Sequence, residues 1–207
     1  MLTEPARRSL EILRDPSAFE WPVVPLFLVV LYIYAVEVER GNLRAVRAGL
    51  ALLLTDVLWE VSNALILHFT RRSPLWAVTG GTSFLILPGW TIEIALMFAI
   101  GGIVTVKFLP ADRGRRIFGL PNRWFFVATW SLLGATVESL LVRTPHFHWG
   151  YPWWNFPLVA LIGYAPFEAM AFAVHDATPK AAIRTVAALA AVDAAAIVVF
   201  GPVLGWI

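Results

Sequence analysis

The stretch Val46-Arg-Ala-Gly-Leu-Ala-Leu-Leu-Leu-Thr-Asp56-Val-Leu-Trp59-Glu60-Val-Ser-Asn63-Ala-Leu-Ile-Leu-His-Phe69 decides the fold. It is long enough to cross a bilayer and shows no period-2 alternation, so it reads as a transmembrane helix rather than a strand. Yet it carries two acids. Asp56, Glu60 and Asn63 are spaced i, i+4, i+7 and share one helix face, with Trp59 beside them.

Five further runs have the same character. Together the spans are expected at 22–38, 46–69, 83–108, 124–142, 156–175 and 181–204. The breaks between them are chemically sensible: Arg40-Gly41-Asn42, Pro110-Ala-Asp-Arg-Gly114, the prolines Pro152 and Pro157, and Thr178-Pro179. The expected fold is all-α: a polytopic membrane helix bundle of about six transmembrane helices with a short N-terminal amphipathic segment. Residues 1–20 form that amphipathic or disordered segment, and residues 21–207 form a single transmembrane domain. Leu2, Leu10, Leu13 and Phe19 lie among charges in the first segment, as in helices that rest on a membrane surface. The first apolar run begins only near Trp21, after Glu11, Asp15 and Glu20, so a cleavable signal is not expected.

Composition agrees. The chain has 207 residues, 59% hydrophobic and 14% charged, against about a quarter charged in soluble domains. The net charge of +2 and the position of the basic residues in short loops point to membrane anchoring and not to nucleic acid. Arg40, Arg44, Arg47, Lys107, Arg113, Arg115, Arg116, Arg123, Lys180 and Arg184 fall on one side of the expected bundle. The positive-inside rule makes that side cytoplasmic and puts both termini outside. The expected location is the cell membrane, multi-pass. Abundant Ala and Arg with few Lys hint at a GC-rich genome and hence a bacterial inner membrane. The chain has no cysteine, which removes disulfide, thiolate and iron–sulfur chemistry.

Six carboxylates fall inside the expected spans: Asp56, Glu60, Glu93, Glu138, Glu168 and Asp193. By helix rise, Asp56, Glu93 and Glu168 should each lie roughly 15–18 Å into their spans. Each costs a few kcal/mol to place in hydrocarbon, about 2.5–3.5 on insertion scales. No Lys or Arg is placed to neutralise them. They are therefore expected to turn inward and to hydrogen-bond with one another or with polar neighbours. Trp59, Asn63, Trp90, Trp130 and Tyr164 are interleaved with them, so acids and aromatic faces would share a pocket that can deliver a proton and shelter a cation. The simpler reading is that such polar groups only hold helices together. That reading is stronger for Asp193, which stands in an Ala-rich helix without polar companions.

Two outer loops are aromatic: His68 to Gly81, and Thr144 to Asn155 with its run His146-Phe-His148-Trp149. They read either as an interfacial aromatic belt or as a lid over a substrate vestibule. His146 and His148 are too few ligands for a metal. The Glu-x-x-His signature, a phosphate-cradling glycine loop and a mid-membrane lysine are all missing. No cofactor or metal is expected.

Trp59-Glu60 in a second helix, with further acids on later helices, resembles the small integral-membrane terpene cyclases of fungal meroterpenoid pathways and their bacterial relatives. The resemblance covers this dipeptide and the general layout, and it departs in having six expected helices where that family has seven. It implies cofactor-free protonation of an epoxide or alkene of a prenylated substrate, with Glu60 as proton donor. Small membrane lycopene cyclases and sterol isomerases fit the same physical description. One expected function is thus acid–base isomerisation, cyclisation or hydration of a lipid-soluble isoprenoid or polyene, with Asp56, Glu60, Glu93, Glu138 and Glu168 catalytic. Trp59, Asn63, Trp90, Trp130 and Tyr164 would bind the substrate. The other is a proton- or cation-coupled transporter, or an accessory subunit of a membrane complex. The partners expected are the lipid bilayer, a hydrophobic small molecule, and a second copy or another subunit.

Overall fold

The computed structural model describes residues 1–207, the side chain of Ala18 excepted. The chain forms seven helices: α1 (Glu4–Glu11), α2 (Val23–Glu39), α3 (Leu43–Thr70), α4 (Ile92–Lys107), α5 (Asn122–Leu141), α6 (Phe156–Asp176) and α7 (Pro179–Val203). Helices α3, α5, α6 and α7 have at least 18 residues and are apolar enough to cross a membrane. Helices α2 and α4, at 17 and 16 residues, are equally apolar but shorter. The six expected spans thus appear as six helices, four of them of full crossing length.

Local chemistry sets the boundaries. Asn42, Thr91 and Thr178 cap α3, α4 and α7 by accepting from the backbone N–H of Ala45, Ile94 and Ala181. Arg71, with φ of 50°, ends α3 in the left-handed region. Helix α6 carries a π-helical stretch at Val159–Tyr164. Pro166 follows it and has no N–H to return to Ile162 four residues earlier. The Trp59 indole donates to that Ile162 carbonyl at 3.1 Å instead, so the bulge ties α6 to α3.

Helix α3 is the hub and packs on α4, α6 and α7. At its closest approach to α4, a Cβ on Gly102 would lie 2.5 Å from the Ala48 carbonyl oxygen and 2.8 Å from Gly49 Cα. Close backbone approach through small residues is how helices associate where water supplies no hydrophobic drive. Tyr34 on α2 spans the same contact by donating to the Ala99 carbonyl at 2.8 Å.

The expected helix bundle is present, and short strands are added to its loops. Three two-stranded antiparallel ribbons are present: β1 (Trp76–Val78) with β6 (Phe147–Trp149), β2 (Leu85–Leu87) with β3 (Trp90–Thr91), and β4 (Arg116–Ile117) with β5 (Leu120–Pro121). The second ribbon occupies the start of the third expected span, so α4 begins at Ile92 and not at 83. The run is apolar there because the ribbon is buried: Leu85 and Leu87 are 1% and 3% exposed. Helix α1 is ordered and docked on this end. Ser9 donates to the Pro88 carbonyl at 2.8 Å, and Leu13 bridges Leu85. Arg7 and Arg8 hydrogen-bond the Glu4 carboxyl and hold it below the usual carboxylate range.

Both termini lie at this ribbon end, where Arg14 reaches the Ile207 carbonyl. The opposite end is basic. There Arg123 grips Asp176 with two hydrogen bonds, of 2.7 and 3.0 Å, and Lys107 pairs with Glu37.

Candidate acid–indole site

The ribbon of β1 and β6 turns the two aromatic loops into a lid. Trp76 and Trp149 are direct cross-strand partners, so their side chains leave the same face of the ribbon. Both point into the helix bundle. The Trp76 indole donates to Glu60 Oε1 at 2.9 Å, and the Trp149 indole donates to Glu138 Oε1 at 2.6 Å. A third indole, Trp90 on β3, donates to Asp56 Oδ2 at 2.9 Å. Tyr164 adds a hydroxyl to Glu138 Oε2 at 3.0 Å. Three carboxyl groups from α3 and α5 are thus each held by one indole N–H. An indole nitrogen is a donor only, so it fixes a carboxyl oxygen without supplying a positive charge.

Asp56, Glu60 and Glu138 line one cavity of about 60 Å³, together with Trp59, Trp76, Phe98, Trp154, Tyr164 and Phe167. A water occupies about 30 Å³ in the liquid, so the chamber has room for about two waters or the end of a chain. Its walls are aromatic. Phe167 meets Trp59 and Phe98 edge-on at 6.0 and 5.2 Å, Phe98 stacks on Tyr164 at 6.3 Å, and Trp76 stacks on Trp154 at 5.7 Å. Among the described residues, Glu60 Oε2 and Trp154 Nε1 are buried without a protein partner. They are among the polar atoms that the lining of this chamber can offer to a guest. Met97 and Leu141 line the same cavity and are 52% and about 44% exposed, on the lipid-facing side.

The structure relocates several expected residues. Glu93 does not join the cluster. It stands in the first turn of α4, because the ribbon displaced the helix start, and it accepts from the Ser83 N–H and, at 2.8 Å, from the Thr82 hydroxyl. It pins the Gly80–Ser83 loop. Asn63 does not line the cavity either. Its Oδ1 accepts from the Leu75 and Trp76 backbone N–H groups, and its amide donates to the Trp76 carbonyl at 2.8 Å, so it positions β1. Trp90 contributes its N–H to Asp56 but no wall to the cavity. Trp130 and Glu168 face a different groove, between α4 and α5. Asp193 is 3% exposed and lies close enough to Asp56 to interact electrostatically, but neither of its oxygens has a hydrogen-bond partner. The expectation that it glues helices by hydrogen bonding fails.

Sequence reasoning did not single out Trp76, Trp149 or Trp154. The signal available was the tryptophan density of the two loops. The pairing of each indole with an acid depends on strand register, which that density does not encode. Among the described residues no three of His, Cys, Asp or Glu converge on a point where a metal could be held.

Asn63→Leu should strip three backbone groups at the start of β1, the N–H of Leu75 and the N–H and carbonyl of Trp76, of their partner. At about 1–3 kcal/mol for each unsatisfied group, the melting temperature in detergent should fall sharply. Asn63→Asp, which keeps the acceptor, should lose much less. Equal melting of the two variants would remove Asn63 from its positioning role.

A sequence profile described as an uncharacterized membrane protein family matches residues 3–202. An uncharacterized protein of Archaeoglobus fulgidus is 43% identical over 213 aligned residues, covering 100% of both chains. Neither match is to a terpene cyclase. No solved structure matches the chain. The multi-pass membrane location follows from the family and from the apolar helices together.

Proposed function

We propose that this chain, which belongs to the uncharacterized membrane protein family matched above, is an acid–base enzyme acting on a lipid-soluble isoprenoid or polyene. The observation that carries the reading is the Glu60 carboxyl. It is held at one oxygen by Trp76 and left open at the other, inside an aromatic chamber that borders the lipid. A positioned carboxyl is what proton transfer to an alkene or epoxide needs. Aromatic faces around it stabilise the cation that such protonation creates.

In this reading Glu60 Oε2 delivers the proton. Asp56, one turn away on α3 and fixed by Trp90, restores it. Glu138 and Tyr164 form a hydrogen-bonded pair on the facing wall that can take a proton from the product-forming carbon. Trp59, Phe98 and Phe167 pack around the cation and limit the water that reaches it. The chamber admits only the reacting end of a chain, and the rest lies on the lipid side past Met97 and Leu141. Isomerisation, cyclisation and hydration all fit, differing only in what quenches the cation.

The test is conversion. Purified protein reconstituted in liposomes and incubated with a prokaryotic isoprenoid lipid extract should yield a product of unchanged mass, or one heavier by one water, by mass spectrometry. Asp193, on the helix α7 that packs against α3, is buried with both oxygens unpartnered, which favours a second reading, a proton or cation path. Flux driven by a pH gradient, with no lipid converted, would establish transport and end the enzyme reading.

A further inference from the structure

The wall of the acid chamber formed by Met97, Phe98 and Tyr164 has a second side. It closes the end of a groove of about 450 Å³ that runs between α4 and α5 and faces the lipid. That volume lies within the roughly 300–1,000 Å³ of small-molecule sites. Along this stretch α4 and α5 do not pack closely on one another. The sides are mostly apolar, formed by residues such as Ile100, Val104, Leu133 and Val137, with Glu93 also on the lining. The floor is polar. Glu168 and Thr105 line it, are 7% and 5% exposed, and present Glu168 Oε2 and Thr105 Oγ1 with no hydrogen-bond partner. The Trp130 indole N–H, also lining the groove, is buried and unpartnered as well.

Buried polar atoms normally find partners, because an unmet one costs about as much as a lost hydrogen bond. Residues from three helices carry such atoms on the lining of one lipid-facing groove, with Thr105 next to the Glu168 carboxyl. An acid, a hydroxyl and an indole N–H together offer both donors and an acceptor. The matching guest has a group that does both, and a long apolar tail for the sides. A hydroxyl meets that requirement. A hydrocarbon does not, and an anionic headgroup would face the Glu168 carboxyl.

We propose that the α4–α5 groove binds a long-chain isoprenoid alcohol, its hydroxyl donating to Glu168 Oε2 and accepting from Thr105 or Trp130. This names the chemistry of the substrate, and it rests on the proposed enzyme reading only for calling the guest a substrate. Binding is measured without turnover, so either idea can fail while the other stands.

The experiment uses the full-length protein in liposomes and a diazirine-tagged geranylgeraniol as photoprobe. Crosslinks should map to α4 and α5 residues of the groove. Free geranylgeraniol should compete, and the hydrocarbon of equal chain length should compete about tenfold less well, as expected for loss of one hydrogen bond to an acid. Glu168→Leu should abolish that preference, Glu168→Gln should keep most of it, and Glu60→Gln should leave it unchanged. Val104→Trp, a substitution at a lipid-exposed site, should block labelling without disturbing the core. Labelling outside the groove would overturn the proposal. So would equal competition by alcohol and hydrocarbon in the wild type, or an alcohol preference that survives in a folded Glu168→Leu variant.

Discussion

Glu60→Gln should lower the turnover of the converted lipid by a factor of about 10²–10⁴, the usual contribution of a positioned general acid or base, while leaving folding intact. The amide keeps the size of the acid. Its carbonyl oxygen can still accept from the Trp76 indole, so the lid loses no anchor. What it loses is the transferable proton of a carboxyl that lines the chamber and has one oxygen free of hydrogen bonds. The companion variant Trp76→Phe separates chemistry from position. It keeps the acid and removes the donor that orients it, so a smaller loss, about tenfold, is expected from one hydrogen bond to an acidic group. Combined in a double-mutant cycle, the two losses should be far from additive, because both act through one carboxyl. Turnover in Glu60→Gln equal to wild type would take Glu60 out of the mechanism.

Gly102→Leu should destabilise the bundle by about 3 kcal/mol, at or above the upper end of the overpacking range. The obstacle is backbone: the Ala48 carbonyl and Gly49 Cα. Neither can step aside as a side chain can, so α3 and α4 must separate. That movement also breaks the line from Trp90, just before α4, to Asp56 on α3. Gly101→Ala makes the informative contrast. Its new Cβ would meet only Leu52 Cδ2, at 3.1 Å, the end of a flexible side chain, so it should melt near wild type. The measurement is thermal unfolding in detergent with size-exclusion to confirm monodispersity. Indistinguishable melting of Gly102→Leu and Gly101→Ala would mean that α3 and α4 are not in the close contact described.

Much of this architecture was written locally. Six apolar runs became six helices, with ends mostly within two or three residues, because hydropathy and capping residues act over a few neighbours. Asn42, Thr91 and Thr178 each cap the helix that follows them. The shared face of Asp56 and Glu60 followed from a spacing of four alone. Where a second structure competes for an apolar run, locality fails: Leu85, Leu87 and Trp90 read as helix but pair as a ribbon, which moved Glu93 from mid-span to a helix start.

The sequence by itself determined that this is a helical membrane protein, that α3 carries paired acids on one face, and that aromatic residues crowd its outer loops. Only the tertiary structure decided which acids meet. It set Glu138 and its indole beside Glu60, sent Glu168 and Trp130 to a separate groove, and gave Asn63 to the lid. The physical reason is that periodicity fixes the direction of a side chain about its own helix axis. How far two helices stand apart, and in what register a loop folds back on them, depends on close contacts such as Gly102 against Ala48 and Trp76 opposite Trp149, between residues far apart in the chain.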